Sequence, residues 1–217
     1  MESDVFEKML KGTTTVGIKC SDGVVIASDR RASSATFVAS KNARKTIKIS
    51  NRAVATISGL VADGQYLTTI LSAISALYEL DQEREMPISS IAKYLALMLR
   101  SYRPYVMIAH LIVGGVDRSG PHLYNVDLYG TLTEEDYIAT GSGSPVAISV
   151  IEEGYSADIN VEKGKVLAIN AMLSALSRDS ATGDGIDLTV IDEKGVHFLE
   201  KEEIEKLRGG SLEKRPF

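Results

Sequence analysis

A threonine follows a glycine near the start of the chain, at Gly12-Thr13, and a carboxylate and an ammonium follow at Asp29 and Lys45. If the bond between Gly12 and Thr13 is cut, Thr13 offers a nucleophilic hydroxyl and a free α-amine on one residue. A terminal amine can act as the base that activates such a hydroxyl. These residue types therefore indicate a self-contained catalytic pair near a carboxylate and a cation. Taken singly, each has an ordinary explanation as part of a strand, a strand end or a surface lysine.

Composition excludes several classes of protein. The chain has 217 residues, 44% hydrophobic and 24% charged, as expected for one globular domain with a full core. The formal net charge of −5 predicts no nucleic-acid surface. No apolar run is long enough to cross a bilayer and residues 1–8 lack a secretory signal pattern, so we expect no membrane insertion. A single cysteine, Cys20, excludes an internal disulfide and fits a reducing cytoplasm, the expected location.

Two other chemistries have weak support in the sequence. His110, His122 and His197 lack metal-ligand spacing, so we expect structural histidines and no metal or other cofactor. No G-x-S-x-G motif is present to mark a serine nucleophile. The loop 141–145 is similar to a phosphate-binding loop, but it lacks the P-loop lysine, and Pro145 suits the first turn of a helix. A nucleotide-binding function would depend on this loop alone.

Hydrophobic periodicity gives the order of the elements that must position these groups. Strands are predicted at 13–20, 24–28, 46–49, 53–58, 109–116, 123–127, 136–140, 187–191 and 196–199. Helices are predicted after Asp63-Gly64 and ending before Pro87, and at 88–102, 146–153, 161–178 and 200–208, the last ended by Gly209-Gly210. Because the helices occur in consecutive pairs, a doubly wound parallel sheet is disfavoured. We predict one α+β domain with two antiparallel sheets, each covered by a helix pair.

Seven segments carry a more specific signal when they are taken together. They are Lys11–Gly17, Ser28–Ala32, Lys41–Lys45, Gly59–Asp63, Leu111–Asp117, Thr140–Pro145 and Arg178–Asp187. In this order and with these intervals they resemble the β subunits of the proteasome core particle, especially the archaeal type. The resemblance covers essentially everything between residues 11 and 200. It implies the N-terminal-nucleophile hydrolase fold, a four-layer αββα sandwich, which agrees with the element order above.

The resemblance also implies a threonine endopeptidase that activates itself. Residues 1–12 would be a propeptide removed by self-cleavage between Gly12 and Thr13, which leaves 13–217 as one catalytic domain. The catalytic and supporting residues would be Thr13, Asp29, Lys45, Ser142, Asp179 and Thr182. Position 182 departs from the family, in which serine is commoner; the hydroxyl is kept, but the added methyl restricts χ1. While residues 1–12 stay attached, Thr13 has an amide nitrogen and no basic amine, so we expect no peptide hydrolysis.

The roles within this resemblance follow from the chemistry of each group. An α-amine titrates at about 7.7–8.0 and a lysine at about 10.4, so we assign the amine of Thr13 as general base and Lys45 as a fixed cation. That cation would lower the pKa of the amine and favour the alkoxide. Asp29 would hold Lys45 in place, and the backbone N–H of Gly59 would meet the oxyanion.

The resemblance assigns further residues to substrate binding. An extended peptide would add to strand edges at Ser33, Gly59 and Val61 through backbone hydrogen bonds. Ala32, Ile57 and Val61 would line the first specificity pocket. Because these side chains are small or apolar, cleavage after hydrophobic residues is favoured.

The partners implied by the resemblance form a closed compartment. Seven-membered β rings would stack between α rings, and an ATP-driven unfoldase would deliver unfolded polypeptide through the α rings. The alternative is a non-catalytic or conditionally active structural β subunit of the same ring. Such members usually lose the Gly-Thr junction, the lysine or the aspartate, and this chain retains all three.

Overall fold

A computed structural model describes residues 12–34 and 37–212 of the chain. The first eleven residues of the predicted propeptide lie outside the described residues. Within the described range, no helix combines the length and the apolar character needed to cross a membrane.

The first sheet contains five antiparallel strands. They are β1 (Thr14–Cys20), β2 (Gly23–Asp29), β10 (Tyr137–Gly141), β11 (Ile186–Asp192) and β12 (Gly195–Phe198), in the order β10-β1-β2-β11-β12. Every residue of β2 and nearly every residue of β1 is buried. Such continuous burial requires that both faces of the sheet are covered.

The second sheet also contains five antiparallel strands. They are β5 (Thr46–Ser50), β6 (Ala53–Gly59), β7 (Ala109–Asp117), β8 (Gly120–Val126) and β9 (Leu132–Glu134), paired in that order. A separate two-stranded ribbon pairs β3 (Ala32–Ser34) with β4 (Phe37–Ser40). The sequence did not predict β3, β4 or β9, because three or four residues carry too little periodicity to be recognised.

The helices form two pairs and one terminal element. They are α1 (Val61–Gln82), α2 (Ile88–Ser101), α3 (Ser144–Gly154), α4 (Val161–Arg178) and α5 (Lys201–Leu212). One apolar core joins the first sheet to α3 and α4, and a second joins the other sheet to α1 and α2. A third core lies between the sheets and includes Val24, Ile26, Val54 and Ile112. The predicted α+β four-layer αββα sandwich is therefore confirmed.

The two sheets approach closely where a side chain is missing. A Cβ atom on Gly17 of β1 would lie 2.7 Å from Cδ1 of Leu123 and 3.2 Å from Cγ2 of Ile112. A larger residue would displace the side chain of Leu123 or separate β1 from β8, so this glycine permits the close approach of the two sheets.

Two glycines were assigned the wrong role from sequence. Helix α1 begins at Val61 and includes Gly64, whereas the sequence placed the helix after Asp63-Gly64. A Cβ on Gly64 would lie 2.1 Å from Cγ2 of Ile57. This glycine therefore lets α1 pack closely on β6. Helix α5 continues through Gly209-Gly210 to Leu212, so the predicted stop at these glycines is wrong. Pro145 does lie in the first turn of α3, as predicted.

Candidate active site

Thr13 immediately precedes β1, and only 5% of its surface is exposed. Its hydroxyl donates to the carbonyl oxygen of Gly12 over 2.7 Å. The same oxygen accepts a hydrogen bond from Nζ of Lys45 over 3.3 Å. The Gly12 carbonyl is thus held against the hydroxyl and polarised by a cation, which favours attack on the bond between Gly12 and Thr13.

Asp29 and Lys45 form a buried ion pair between the two sheets, because β2 ends at Asp29 and Lys45 precedes β5. Nζ and Oδ1 lie 2.5 Å apart, and the two side chains are 3% and 0% exposed for Lys45 and Asp29. Asp29 also accepts from the backbone N–H groups of Thr14, Arg31 and Gly183 at 3.0–3.1 Å. These four donors compensate for the removal of the carboxylate from water.

Burial changes the acidity of Lys45. It lowers the pKa of the ammonium below that of an ordinary lysine, and the charge and hydrogen bond of Asp29 oppose this only in part. The ammonium of Lys45 therefore releases its proton more readily than that of a surface lysine, while the contact with Asp29 favours the charged form. The role of Lys45 as a fixed cation stays a prediction.

Ser142, Asp179 and Thr182 come together on another side of Thr13. Asp179 ends α4, and its Oδ2 accepts from the hydroxyl of Ser142 at 2.6 Å and from that of Thr182 at 2.5 Å. Its Oδ1 accepts from the backbone N–H of Ala181 at 3.2 Å. Oγ of Ser142 also lies 3.4 Å from the carbonyl oxygen of Thr13. The three predicted supporting residues therefore form one hydrogen-bonded group beside Thr13.

The threonine at position 182 fits this group. Its side chain is 2% exposed, so the added methyl is accommodated in the interior. Its hydroxyl lies 2.6 Å from that of Thr14, a residue that sequence reasoning did not single out. The restriction of χ1 by the methyl is thus compatible with two short hydrogen bonds, one to Asp179 and one to Thr14.

Gly59 ends β6 in a conformation that excludes most other residues. Its φ is 106°, and a Cβ there would lie 2.4 Å from the carbonyl oxygen of Ile108. Leu60, the next residue, donates to that carbonyl over 2.7 Å. This explains the glycine by backbone geometry, while its role as oxyanion donor stays a prediction.

The predicted substrate-binding residues differ in exposure. Ala32 and Ser33 are half-buried on β3, and Val61 is 36% exposed at the start of α1. Ile57 is 3% exposed and packs in the core beneath α1. Ser33 lies next to Gly12, since a Cβ on Gly12 would be 3.4 Å from that of Ser33. The specificity pocket proposed from sequence stays a prediction.

A cavity of about 610 Å³ adjoins the site and was not foreseen. Gly59, Ser142, Asp179 and Leu128 line it together with His110, a histidine that sequence reasoning assigned to structure. Nε2 of His110 lies 2.5 Å from Oδ1 of Asn125, its neighbour across β7 and β8. Only Gly59 is shared between this cavity and the predicted substrate-binding residues.

Two arginines after Asp29 hold the loop that follows α4. Arg31 contacts Oδ2 of Asp184 at 2.7 Å and the carbonyl oxygen of Ser180 at 2.8 Å. Arg30 donates to Oδ1 of Asp187 over 2.7 Å. The sequence suggested only a solvated strand end here. No local pattern could have identified these pairs, because the two aspartates lie more than 150 residues from the arginines.

The sequence is similar to known proteins over most of its length. A family model described as "Proteasome subunit" matches residues 9–191. Proteasome subunit beta 1 of Korarchaeum cryptofilum is 64% identical over 199 residues, which cover 92% of this chain and 97% of that protein. Proteasome subunit beta of Archaeoglobus profundus is 44% identical over 208 residues, covering 95% of this chain and 97% of that protein. The family match includes every candidate site residue and every strand of the two sheets up to Ile191 in β11.

Proposed function

The chain belongs to the proteasome subunit family, as a β subunit of the archaeal type, and we propose that it is a catalytic one. The proposed activity is that of a threonine-type endopeptidase, with Thr13 as nucleophile, which degrades unfolded polypeptides inside the core particle. Self-cleavage between Gly12 and Thr13 would activate it.

The contacts of the Gly12 carbonyl oxygen carry this proposal. It lies 2.7 Å from Oγ1 of Thr13 and 3.3 Å from Nζ of Lys45. In self-cleavage, Oγ1 bonds to the carbonyl carbon, the bond from that carbon to the Thr13 nitrogen breaks, and the nitrogen takes the hydroxyl proton. Water then hydrolyses the ester and releases residues 1–12. The ammonium of Lys45 stabilises the negative oxygen that develops on Gly12.

After self-cleavage the same groups act on a substrate peptide. The α-amine of Thr13, with an ordinary pKa of about 7.7–8.0, takes the proton of its own hydroxyl. Lys45 favours the alkoxide, and Asp29 orients Lys45. The backbone N–H of Gly59 donates a hydrogen bond to the oxyanion. The acyl-enzyme forms as the peptide nitrogen leaves with the proton, and water releases the second product.

The surroundings of Thr13 suggest how a peptide would run. Gly12 lies on the nitrogen side of Thr13 beside Ser33, and so would the acyl part of a substrate. The cavity of about 610 Å³ adjoins Gly141 and Ser142, on the carbonyl side. It offers space for the leaving part of the peptide.

Substitution of the nucleophile tests the proposal. In the assembled particle, Thr13→Ala should lower hydrolysis of a fluorogenic peptide with a hydrophobic residue before the cut bond by about 10³-fold or more. Thr13→Ser keeps a hydroxyl and an amine and should retain activity. N-terminal sequencing of the wild-type particle should begin at Thr13.

Two outcomes would contradict the proposal. Unchanged hydrolysis by Thr13→Ala would assign the activity to another residue. An inactive wild-type particle that keeps residues 1–12 on every copy would instead support the alternative, a structural β subunit.

The proposed assembly is the one the resemblance implies: seven-membered β rings between α rings, supplied by an ATP-driven unfoldase in the cytoplasm. The names of the similar proteins support assembly into a proteasome. Native mass spectrometry tests the assembly, since fully active monomers would contradict a closed compartment.

A further inference from the structure

Thr14, the first residue of β1, contacts both sides of the site. Its side chain is fully buried. Its backbone N–H donates to Oδ1 of Asp29 over 3.0 Å, and its hydroxyl lies 2.6 Å from that of Thr182. Thr14 therefore links the ion pair to the hydroxyl network, and it is the residue covalently attached to the nucleophile Thr13.

The neighbouring carboxylate fixes the direction of the hydrogen bond between the two threonines. Oγ1 of Thr182 lies 2.5 Å from Oδ2 of Asp179, and a carboxylate can only accept. Because Thr182 gives its single hydroxyl proton to Asp179, its oxygen accepts the proton of Thr14. Ser142 donates to the same Oδ2 over 2.6 Å, so the oxygen of Ser142 presents lone pairs and no proton to its other neighbours.

Gly143 packs directly against the hydroxyls of Thr14 and Thr182. A Cβ on Gly143 would lie 2.1 Å from Oγ1 of Thr14 and 3.2 Å from Oγ1 of Thr182. A contact that short would displace the hydroxyl of Thr14, so the glycine keeps the space that the pair occupies. Buried hydrogen-bond networks in which each member is satisfied are held in one geometry.

We propose that Thr14 is a positioning residue whose hydroxyl, through Thr182 and Asp179, fixes the orientation in which Ser142 accepts a hydrogen bond from the α-amine of Thr13. The inference rests on the proposed function, because this amine exists only after the bond before Thr13 is cut. Thr14 touches no substrate in this scheme. It keeps the acceptor for the amine in place.

Thr14→Val tests the role, because valine has nearly the same shape and no proton to donate. We expect kcat of the mature particle to fall roughly 10- to 100-fold with little change in KM. The acid limb of the pH–rate profile should move to lower pH, since the ammonium form of the amine loses an oriented acceptor. The titratable and charged groups that surround this site are Asp29, Lys45, Asp179, Arg31 and His110. None of them is altered by the substitution.

Thr15→Val is a matched control. Thr15 is the next residue of β1 and is also fully buried, but its hydroxyl pairs with that of Thr140 at 2.6 Å. Its oxygen also accepts from the hydroxyl of Thr56 over 3.3 Å. Thr15→Val therefore loses two buried hydrogen bonds, neither of which leads to Asp179. We expect a loss of stability at least as large as that of Thr14→Val, with an unmoved acid limb. Thr14→Ser keeps the donor and should restore the wild-type profile.

The outcomes separate this inference from the proposed function. If Thr14→Val does not assemble, Thr14→Ala removes the same hydroxyl without placing a methyl against Thr182, leaves the hydrogen bond from Thr182 to Asp179 in place, and must move the acid limb in the same direction. The inference is overturned if Thr14→Val behaves like Thr15→Val in particles whose chains begin at Thr13. The proposed function fails differently, through an active Thr13→Ala particle or a wild type without peptidase activity.

Discussion

The two sides of Thr13 each hold a carboxylate, buried at Asp29 and half-buried at Asp179, and they satisfy it in different ways. Asp29 lies 2.5 Å from the ammonium of Lys45 and accepts three backbone N–H groups. Asp179 accepts two hydroxyls, from Ser142 and Thr182, and one backbone N–H. The first side places a full positive charge near the reacting atoms, and the second places neutral dipoles there.

The Asp29 side therefore acts mainly through the charge of Lys45, and the Asp179 side mainly through the direction of its hydrogen bonds. Leaving one member of a buried ion pair alone costs about 3–5 kcal/mol, whereas loss of a hydrogen bond to a charged group costs about 1.5–3 kcal/mol. The ion pair also contacts Gly12 before self-cleavage, while the amine that the hydroxyl side would serve exists only afterwards. Changes to the ion pair should therefore impair both processing and turnover, and changes to the hydroxyl side mainly turnover.

The largest effect is expected for Lys45→Ala. It leaves Asp29 buried without its cation and removes the donor that polarises the Gly12 carbonyl. We expect self-cleavage and peptide hydrolysis each to fall by at least about 10²-fold, and the free energy of unfolding to fall by about 3–5 kcal/mol. Mass spectrometry measures the rate at which residues 1–12 are lost, and denaturant unfolding measures the stability.

A surface ion pair gives the control for this substitution. Lys19 and Asp136 also lie 2.5 Å apart, but their side chains are 30% and 57% exposed. Lys19→Ala should change the free energy of unfolding by about 1 kcal/mol or less and leave processing normal. Normal processing together with normal turnover in Lys45→Ala would refute the role of Lys45.

The pH dependence of stability gives a second measure of the same substitution. Because burial lowers the pKa of Lys45 in the folded chain, this group loses its proton at a lower pH there than in the unfolded chain. Between the two pKa values the unfolded chain binds more protons, so the contribution of Lys45 makes the free energy of unfolding rise with pH. Lys45→Ala should remove this contribution and flatten the slope.

A smaller effect, confined to one function, is expected for Asp179→Asn. The amide has one acceptor oxygen where the carboxylate has two. The substitution therefore loses either the hydrogen bond from the N–H of Ala181 at Oδ1 or both hydroxyl hydrogen bonds at Oδ2, and in either case it removes the charge that holds the hydroxyls of Ser142 and Thr182. We expect kcat to fall roughly 10- to 100-fold while self-cleavage slows by about 3-fold or less. Separate assays of processing and turnover would decide; equal losses in both would erase the distinction between the two sides.

The sequence correctly predicted the long strands and helices. The long strands and helices have clear periodicity, and the paired order of the helices led to the correct layers. Gly64 was placed before a helix and Gly209 after one, because a glycine that serves close packing, or lies inside an exposed helix, has the same sequence signature as one at a helix boundary. Their roles depend on what lies opposite in the folded chain.

The site was predictable where residue type alone suggests chemistry, as for Thr13, Asp29 and Lys45. Thr14 was missed because its partner Thr182 lies 168 residues away and a threonine in a β strand needs no special explanation. His110 was missed for a similar reason, since its place on the cavity wall depends on the pairing of β7 with β6 and β8. Such contacts are set by tertiary packing, which local patterns do not contain.

The smallest effect is expected for Thr182→Ser. The hydroxyl that contacts Asp179 and Thr14 is kept, and only a buried methyl is lost. We expect kcat to change by about 3-fold or less and the free energy of unfolding to fall by about 1 kcal/mol, as measured by peptide hydrolysis and denaturant unfolding. Thr182→Val removes the hydroxyl and keeps the shape, so it should resemble Asp179→Asn. If serine instead lowered kcat more than valine, the methyl would position the network, and the hydroxyl side would orient the site by packing rather than by hydrogen bonding.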